Sequence, residues 1–352
     1  MTTSPAQEWL SQMPSRALLS EQLRVTGRFV IQEVRAGHFP PGFARSIMQA
    51  LRQPGKLLGS PVMGGALLGT RNLRGWALPL LLAAAAASGA ETEVLSDLSP
   101  SFWRRACAVA AASEYLGAAL DLIDDVQDGD SPFVQQLGMP IALNIGIALL
   151  ELAPLALRRA RAAGWPDSLA LAAQEALHAN VLTSLGGQYM DLRFEQSSAV
   201  SEAQVIEMTE KKSGALLALI CQLGAMAGTS NQQAHPSGYF EAISQFGWHL
   251  GVWFQLLNDL HDAELAQAQP AKSDRQRHKK TLPLLLEQRG MIENTDNSIQ
   301  AQSLNAQAAL SYTYVMAETF RLRAQKALQA LEEQFGQHSL LWPLTLPTWE
   351  ES

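Results

Sequence analysis

Apolar side chains recur at helical spacing along most of the chain, between breaks marked by glycine, proline or clustered polar residues. The pattern predicts amphipathic helices over 6–36 and 43–52, followed by a glycine-rich loop that reaches about residue 69. Further helices are predicted over 76–88, 100–127, 141–163, 167–195, 202–228, 237–267, 281–288 and 301–335. A polar, basic loop is expected at 267–278, and the tail from residue 336 is expected to be irregular.

The same pattern gives no strand signal. No stretch alternates convincingly between apolar and polar residues, and no internal repeat is present. Alanine and leucine are abundant while aromatic residues make up only 7%, which favours helix over sheet. We therefore predict an all-α fold, a large single-domain helical bundle over 1–352. Residues 1–70 form its N-terminal helices and loop, 71–290 its core, and 291–352 its last helix and tail.

Composition and charge narrow the class of protein. Apolar residues make up 47% and charged residues 17%, as in a globular protein with a large core. The net charge of -7 argues against a nucleic-acid partner. The chain does not open with a secretory signal, and its most apolar runs, 76–90 and 140–157, are short or interrupted for a membrane span. We expect a cytoplasmic protein with no membrane span.

The helix predicted over 100–127 ends in an acidic cluster. Asp124, Asp125 and Asp128 follow an apolar run, and Asp124 and Asp128 lie one helical turn apart on the same face. Like charges at this spacing repel each other and weaken a helix, so a bound cation would explain them. Hard oxygen ligands of this kind suit Mg²⁺. The alternative is a solvated acidic helix end.

A second polar group lies within the helix predicted over 237–267. Asn258, Asp259 and Asp262 are spaced so that all can point to one side. Two such faces in a helical bundle can confront each other across a cavity and hold a metal cluster. Lys212 and Lys279 lie near helix starts, where an inward lysine suits a phosphate group. Taken alone, each lysine is better explained as a solvated surface residue.

In chain order these motifs are the acidic cluster, Gly-Gln-x-x-Asp at 187–191, Lys-Ser-Gly-Ala-Leu at 212–216, Phe-Gln-x-x-Asn-Asp-x-x-Asp at 254–262, and Asp-x-x-x-x-Lys-x-Thr-x-Pro at 274–283. The order resembles the trans-polyprenyl diphosphate synthase family of class I isoprenoid synthases, over about residues 75–290. The resemblance implies the isoprenoid-synthase helical bundle with a central apolar cavity. It also implies Mg²⁺ as cofactor, an allylic prenyl diphosphate as substrate, and a homodimer.

The resemblance also implies roles for individual residues. The catalytic residues would be Asp124, Asp125, Asp128 and Asp259. The metal ligands would be Asp124, Asp125, Asp128, Asn258, Asp259 and Asp262, where Asn258 stands at a position that is usually aspartate. The substrate would be bound by Lys212, Lys279, Gln188 and Gln255. Ala119 and Leu120 stand where bulky aromatic residues limit the prenyl pocket, so we expect a donor of farnesyl length or longer.

Two departures from the family pattern concern the acceptor, isopentenyl diphosphate. The family's Gly-Gly-Lys-Arg-x-Arg-Pro element corresponds to 72–79, where Gly75, Trp76 and Leu78 replace the lysine and two arginines. The pair of arginines that follows the first aspartate motif has no counterpart in 129–134. Each lost charge-assisted hydrogen bond would cost roughly 1.5–3 kcal/mol. Arg71 and Arg74 are nearby and would compensate only if the alignment shifted.

An intact donor side and an altered acceptor side predict that an allylic prenyl diphosphate is ionised without ordinary elongation. Cyclisation of the resulting cation, as in a terpene synthase, is the leading hypothesis. The alternative is a prenyltransferase that either passes the prenyl group to a non-isoprenoid acceptor or elongates it conventionally. A non-catalytic partner subunit is a third hypothesis, but such a subunit has no need to keep both acidic motifs and both lysines.

Overall fold

The computed structural model describes residues 15–53, 75–90, 92–129, 131–197, 199–229, 237–268, 279–293, 299–336 and 338–346. Over these residues the chain forms twelve α-helices and no strand, so the all-α prediction is confirmed. The helices are α1 (Arg16–Ala36), α2 (Pro41–Leu51), α3 (Ala77–Ala87), α4 (Pro100–Asp128), α5 (Pro132–Leu137), α6 (Met139–Ala162), α7 (Asp167–Glu195), α8 (Glu202–Thr209), α9 (Ala215–Gly228), α10 (Tyr239–Ala268), α11 (Leu282–Glu293) and α12 (Ile299–Phe335).

The chain divides into two compact units. The first contains Met1–Leu177, Ile220–Ile243 and Ala330–Ser352, and the second contains His178–Leu219 and Ser244–Gln329. The predicted single domain over 1–352 and its central apolar cavity stay predictions. The predicted loops at 53–69 and 267–278 lie almost entirely outside the described residues, as do Arg71, Arg74 and the first residues of the predicted N-terminal helix.

The first unit is built around α4, whose ends are set by local chemistry. The Ser99 hydroxyl accepts a hydrogen bond from the Phe102 N–H at 3.1 Å, which satisfies one of the free donors of the first turn. Gly129 ends the helix with a φ of 73°, a left-handed conformation that glycine adopts without strain. Between these ends α4 is buried from Phe102 to Ala119, except at the exposed Arg104, and packs most extensively against α6.

The structure of the chain after α12 differs from the sequence prediction. The tail was expected to be irregular, but Ser339–Thr345 forms a 3₁₀-helix that packs against α3. Leu340, Leu341 and Leu344 are almost fully buried there. Helix α3 is apolar on every side, so it needs cover from several directions, and the tail supplies part of that cover. A segment this short contains too few residues for the spacing of its apolar side chains to indicate a helix.

Two other segments also differ from the prediction. No helix was predicted between residues 127 and 141, yet Pro132–Leu137 forms the short helix α5. The single helix predicted over 202–228 is interrupted by a π-helical turn, Glu210–Gly214, between α8 and α9. A π-turn adds one residue to a helical repeat and leaves the apolar spacing on either side nearly unchanged, so the pattern does not reveal it.

Among the described residues, two helices are long and apolar enough to cross a membrane by length and composition alone. In α4 the most apolar window is 89% buried within the protein, as expected for a core helix. In α6 the corresponding window is 44% buried, because one face of that helix is covered and the other is exposed. Both observations fit helices of a folded domain, which pass the same test.

Candidate active site

The first acidic cluster occupies the last turn of α4, in the first unit. Asp124, Asp125 and Asp128 are half-buried, and Val126 between them points into the core. The carbonyl end of a helix carries partial negative charge, so three carboxylates at this end are electrostatically unfavourable. A cation bound to the carboxylates would offset both this effect and their mutual repulsion.

The residues one to two turns before the cluster are small. Ala119 is fully buried and Leu120 is half-buried. Gly117 has no side chain because the Trp76 indole occupies that space: a Cβ on Gly117 would lie within 3.0 Å of the ring. The Ala77 N–H, next to Trp76, donates to Glu114 Oε1 of α4 at 2.7 Å.

Two residues of the acceptor-side departures, Trp76 and Leu78, lie in the described part of the chain. Trp76 and Leu78, which replace basic residues of the family pattern, are 3% and 2% exposed. Their side chains pack in the core of the first unit and present no charge to solvent. Asn72, Leu73 and Arg74 of the same element lie outside the described residues, as does Asp130 after the first cluster.

The second acidic group lies on α10, in the second unit. Asp259 is buried, Asn258 is half-buried and Asp262 is exposed. Asp259 Oδ1 accepts a hydrogen bond from Gln255 Nε2 at 2.9 Å, one turn earlier on the same helix. The orientation of this buried carboxylate is therefore fixed in part by a neighbour that the sequence had assigned to substrate binding.

Lys212 lies in the π-turn and forms an ion pair with an aspartate of α7. Its Nζ is 2.7 Å from Asp191 Oδ2, with 20% and 6% of the two side chains exposed. Such a pair fixes the direction of a long side chain that would otherwise sample many rotamers. The sequence placed Asp191 in a motif but assigned it no role, although an aspartate on an apolar helix face needs a partner.

Lys279 and Gln188 are also in the second unit. Lys279 directly precedes the segment that begins α11 and is 8% exposed, which is unusual for lysine. Gln188 lies on α7, next to the point where that helix meets the π-turn, and is 9% exposed. In the second unit, short contacts therefore join Lys212 to Asp191 and Gln255 to Asp259. That the two acidic groups meet at one site stays a prediction.

The donor set fits Mg²⁺ and not a transition metal. In the part of the chain that the structure describes, no three His, Cys, Asp or Glu side chains converge closely enough to form a metal cage alone. Mg²⁺ usually keeps several waters and takes one or two carboxylates plus substrate phosphate oxygens, so it does not require such a cage. The oxygens of Asp124, Asp128 and Asp259 are ligands of this hard type.

Comparison with known proteins decides the family. The model of the polyprenyl synthetase family matches residues 65–316, more than half of the chain. The chain belongs to the polyprenyl synthetase family. The matched range includes both acidic groups and both lysines, so the predicted family resemblance is confirmed.

Relatives of this polyprenyl synthetase are found by sequence and by structure. A geranylgeranyl diphosphate synthase of Sulfolobus acidocaldarius is 25% identical over 270 residues, which cover 68% of this chain and 78% of that one. The tryptophan prenyltransferase ComQ of Bacillus subtilis subsp. natto is 31% identical over 153 residues, 43% of each chain. The structure of a geranylgeranyl pyrophosphate synthetase from Geoglobus acetivorans superposes with a TM-score of 0.68 at 22% identity, covering 93% of this chain and 96% of that one.

These comparisons support a prenyltransferase of the polyprenyl diphosphate synthase type, and the chain is therefore an enzyme. They favour the prenyltransferase alternative of the sequence analysis over the leading hypothesis of cyclisation, for which they give no support. At 22% identity the structural similarity concerns the fold alone. The individual metal- and substrate-binding residues stay predictions.

Proposed function

We propose that this polyprenyl synthetase transfers the prenyl group of an allylic prenyl diphosphate to isopentenyl diphosphate and so elongates the chain. The observation that carries the proposal is the arrangement of Lys212 and Asp259 within the second unit. A buried ion pair directs the lysine, and a hydrogen bond from Gln255 directs the carboxylate. A cation and a metal ligand that are oriented before substrate binds are what ionisation of a diphosphate ester requires.

The proposed metal ligands are Asp124, Asp125, Asp128, Asn258, Asp259 and Asp262. When bound, Mg²⁺ neutralises the negative charge that grows on the leaving diphosphate. Lys212 and Lys279 stabilise the same charge as point cations, and the low exposure of Lys279 strengthens its interaction with a phosphate oxygen. The apolar surroundings of Ala119 and Leu120 keep water from the allylic cation until the acceptor double bond attacks it.

We further propose a donor of farnesyl length or longer. Ala119 is fully buried and small, and the first turns before the aspartates carry no aromatic side chain except Tyr115. A bulky ring at position 119 or 120 would shorten the space available to the prenyl chain. Donors of increasing length test this, since a preference for the shortest donor would contradict it.

A second candidate function is transfer to a non-isoprenoid acceptor. The specific observation in its favour is the burial of Trp76 and Leu78 at positions where the family pattern has basic residues. A second diphosphate would then meet an acidic site with fewer cations. The partial similarity to a tryptophan prenyltransferase points in the same direction.

One experiment distinguishes elongation from cyclisation and from a non-catalytic partner subunit. The pure protein is incubated with Mg²⁺ and geranyl, farnesyl or geranylgeranyl diphosphate, with and without isopentenyl diphosphate, and both released diphosphate and products are analysed. Elongation predicts release that depends on isopentenyl diphosphate and yields a longer prenyl diphosphate. Cyclic products without that acceptor would instead restore the cyclisation hypothesis. No release under any condition would favour the partner-subunit hypothesis.

A matched variant pair tests the metal ligands in the same assay. Asp259→Asn keeps the shape of the side chain and removes its charge, so we expect diphosphate release to fall about 100-fold. Asp167→Asn, on the exposed first turn of α7, serves as control and should leave the rate unchanged. Equal rates for both variants would remove Asp259 from the proposed ligand set.

A further inference from the structure

The π-helical turn Glu210–Gly214 sets the positions of two polar side chains in the second unit. A π-turn widens the helix by one residue and is frequent at functional sites, because it is retained only where the irregular geometry is useful. Lys212 and Ser213 are consecutive within this turn and are directed to different helices. Burial raises the pKa of Glu210 at its start, an effect that Arg323 opposes and Glu207 reinforces.

Two glycines, one on α7 and one on α10, allow these helices to pack closely against the backbone of this turn. A Cβ on Gly187 of α7 would lie within 3.0 Å of the Lys212 backbone nitrogen, and a Cβ on Gly251 of α10 within 3.0 Å of the Ser213 carbonyl oxygen. The Ser184 hydroxyl of α7 also donates to the Lys212 carbonyl at 2.7 Å. The backbone of the turn is thus packed closely against both helices.

Two side-chain hydrogen bonds connect this turn to the second acidic group. The Ser213 hydroxyl donates to Gln255 Oε1 at 2.7 Å, and Gln255 Nε2 donates to Asp259 Oδ1 at 2.9 Å. Ser213 is 4% exposed and Asp259 is 6% exposed, so neither hydrogen bond is readily replaced by water. Gln255 therefore uses one hydrogen bond at each end of its amide to connect the two residues.

We propose that Ser213 is a positioning residue that orients the Asp259 carboxylate through the Gln255 amide. A hydroxyl that donates to Oε1 leaves the Nε2 end of the amide facing Asp259. With the amide reversed, Oε1 would face the carboxylate and place two acceptors together, which is unfavourable. The inference rests on the proposed function, in which Asp259 binds Mg²⁺ together with a prenyl diphosphate. Residues behind a metal ligand are known to affect its affinity for the metal.

Binding of Mg²⁺ with inorganic pyrophosphate tests this role without turnover. Isothermal titration calorimetry is carried out on the full chain and on Ser213→Ala and Ser213→Thr. Ser213→Ala frees the amide to rotate, so we expect the Mg²⁺-dependent affinity for pyrophosphate to fall about 10-fold or more. Ser213→Thr retains the hydroxyl and should restore affinity to within about threefold of the unaltered chain. In steady-state assays, Ser213→Ala should lower kcat more than Ser213→Thr does. The KM for the donor should change less than kcat.

The matched control is Ser311→Ala on α12, whose hydroxyl donates to the Gln307 carbonyl of its own helix at 3.0 Å and is exposed. It should leave pyrophosphate binding unchanged, and circular dichroism with thermal unfolding checks that all variants fold. Ser213→Ala with unaltered affinity, or Ser213→Thr as weak as Ser213→Ala, overturns the inference. So does an unaltered chain that binds no pyrophosphate with Mg²⁺.

The two proposals can fail separately. If the unaltered chain releases no diphosphate from any prenyl donor, but Ser213→Ala weakens pyrophosphate binding and Ser213→Thr restores it, the proposed function fails and the positioning role stands. If the unaltered chain elongates prenyl diphosphates while Ser213→Ala matches it in binding and in kcat, the positioning role fails alone.

Discussion

At the scale of single residues, the second unit contains two ion pairs that look alike in sequence but differ in burial. Lys212 and Asp191 have 20% and 6% of their side chains exposed, whereas the neighbouring pair of Lys211 and Glu207 has 39% and 50% exposed. Solvent screens the second pair and not the first, so only the first is expected to fix a side chain. This difference identifies Lys212, and not Lys211, as the lysine with a defined direction.

Asp191→Asn should therefore lower both stability and activity. The variant removes the carboxylate charge that pairs with the Lys212 ammonium at 2.7 Å, and we expect the free energy of unfolding to fall by about 1–3 kcal/mol. Diphosphate release should fall roughly 10-fold because Lys212 loses its orientation. Urea unfolding and the release assay measure the two effects. Glu207→Gln is the control, with an expected change below about 0.5 kcal/mol; equal losses for both variants would contradict the assignment.

The two cysteines are a second feature at this scale. Cys107 and Cys221 lie on α4 and α9, and both are fully buried and free. Burial raises the pKa of each thiol to about 12, since the thiolate would lose its hydration. For Cys107 a hydrogen bond with Thr26 and the charge of Arg28 partly oppose this shift. The reactive thiolate is thus scarce at neutral pH.

We expect neither thiol to react with a disulfide reagent in the native protein at pH 8, and both to react in denaturant. Because the pKa is higher in the folded than in the unfolded state, the thiols contribute stability that is full below about pH 9 and is lost as pH rises towards 12. Denaturant midpoints between pH 8 and 10 should fall, and less so in a Cys107→Ala/Cys221→Ala variant. Rapid labelling of the native chain would refute the burial argument.

At the scale of elements, close packing of helix backbones is what places the π-turn. Gly186 and Gly187 are adjacent on α7, yet nothing lies within 4 Å of a Cβ on Gly186, while a Cβ on Gly187 would meet the Lys212 backbone nitrogen. Backbone atoms cannot rotate away as a side chain can, so only the second substitution forces the helices apart. The sequence Gly-Gly by itself does not distinguish the two positions.

Substitution of these two neighbouring glycines by alanine should change the stability of the protein in opposite directions. Gly186→Ala should stabilise the protein by about 0.5–1 kcal/mol, because alanine loses less backbone entropy than glycine in a helix. Gly187→Ala should destabilise it by about 1–3 kcal/mol through overpacking, and should weaken pyrophosphate binding by displacing Lys212 and Ser213. Thermal and urea unfolding measure whether each substitution raises or lowers the free energy of unfolding. A stabilising Gly187→Ala would show that the turn is not held by this contact.

At the scale of the whole molecule, the exposed face of α6 bears on the proposed homodimer. Leu143, Ile147 and Leu155 lie on one four-residue row of α6 that also contains the exposed Glu151, and Ile147 is 56% exposed. A row of exposed aliphatic side chains is unfavourable in water and marks an interaction surface. We propose that a second copy of the chain covers it, as the family resemblance implies.

Ile147→Asp should dissociate the proposed dimer. A carboxylate buried at this position without a partner costs several kcal/mol, more than a dimer interface of ordinary size tolerates at micromolar concentration. Sedimentation velocity should show a dimer for the unaltered chain and a monomer for the variant. Leu304→Asp provides the control, because Leu304 is 67% exposed on α12 in the second unit and is expected to leave the dimer intact. A monomeric unaltered chain would refute the proposal.

Helical periodicity, the acidic spacings and the order of motifs are local properties, so the sequence alone determined the all-α fold and the family. It also identified Asp259, Lys212 and Gln255 as candidates, because they stand in motifs whose order resembles that of the family. It could not supply the bond between Ser213 and Gln255, which lie 42 residues apart, or the π-turn that directs Lys212. Those depend on how closely α7 at Gly187 and α10 at Gly251 approach the turn, and only the tertiary structure decides these distances.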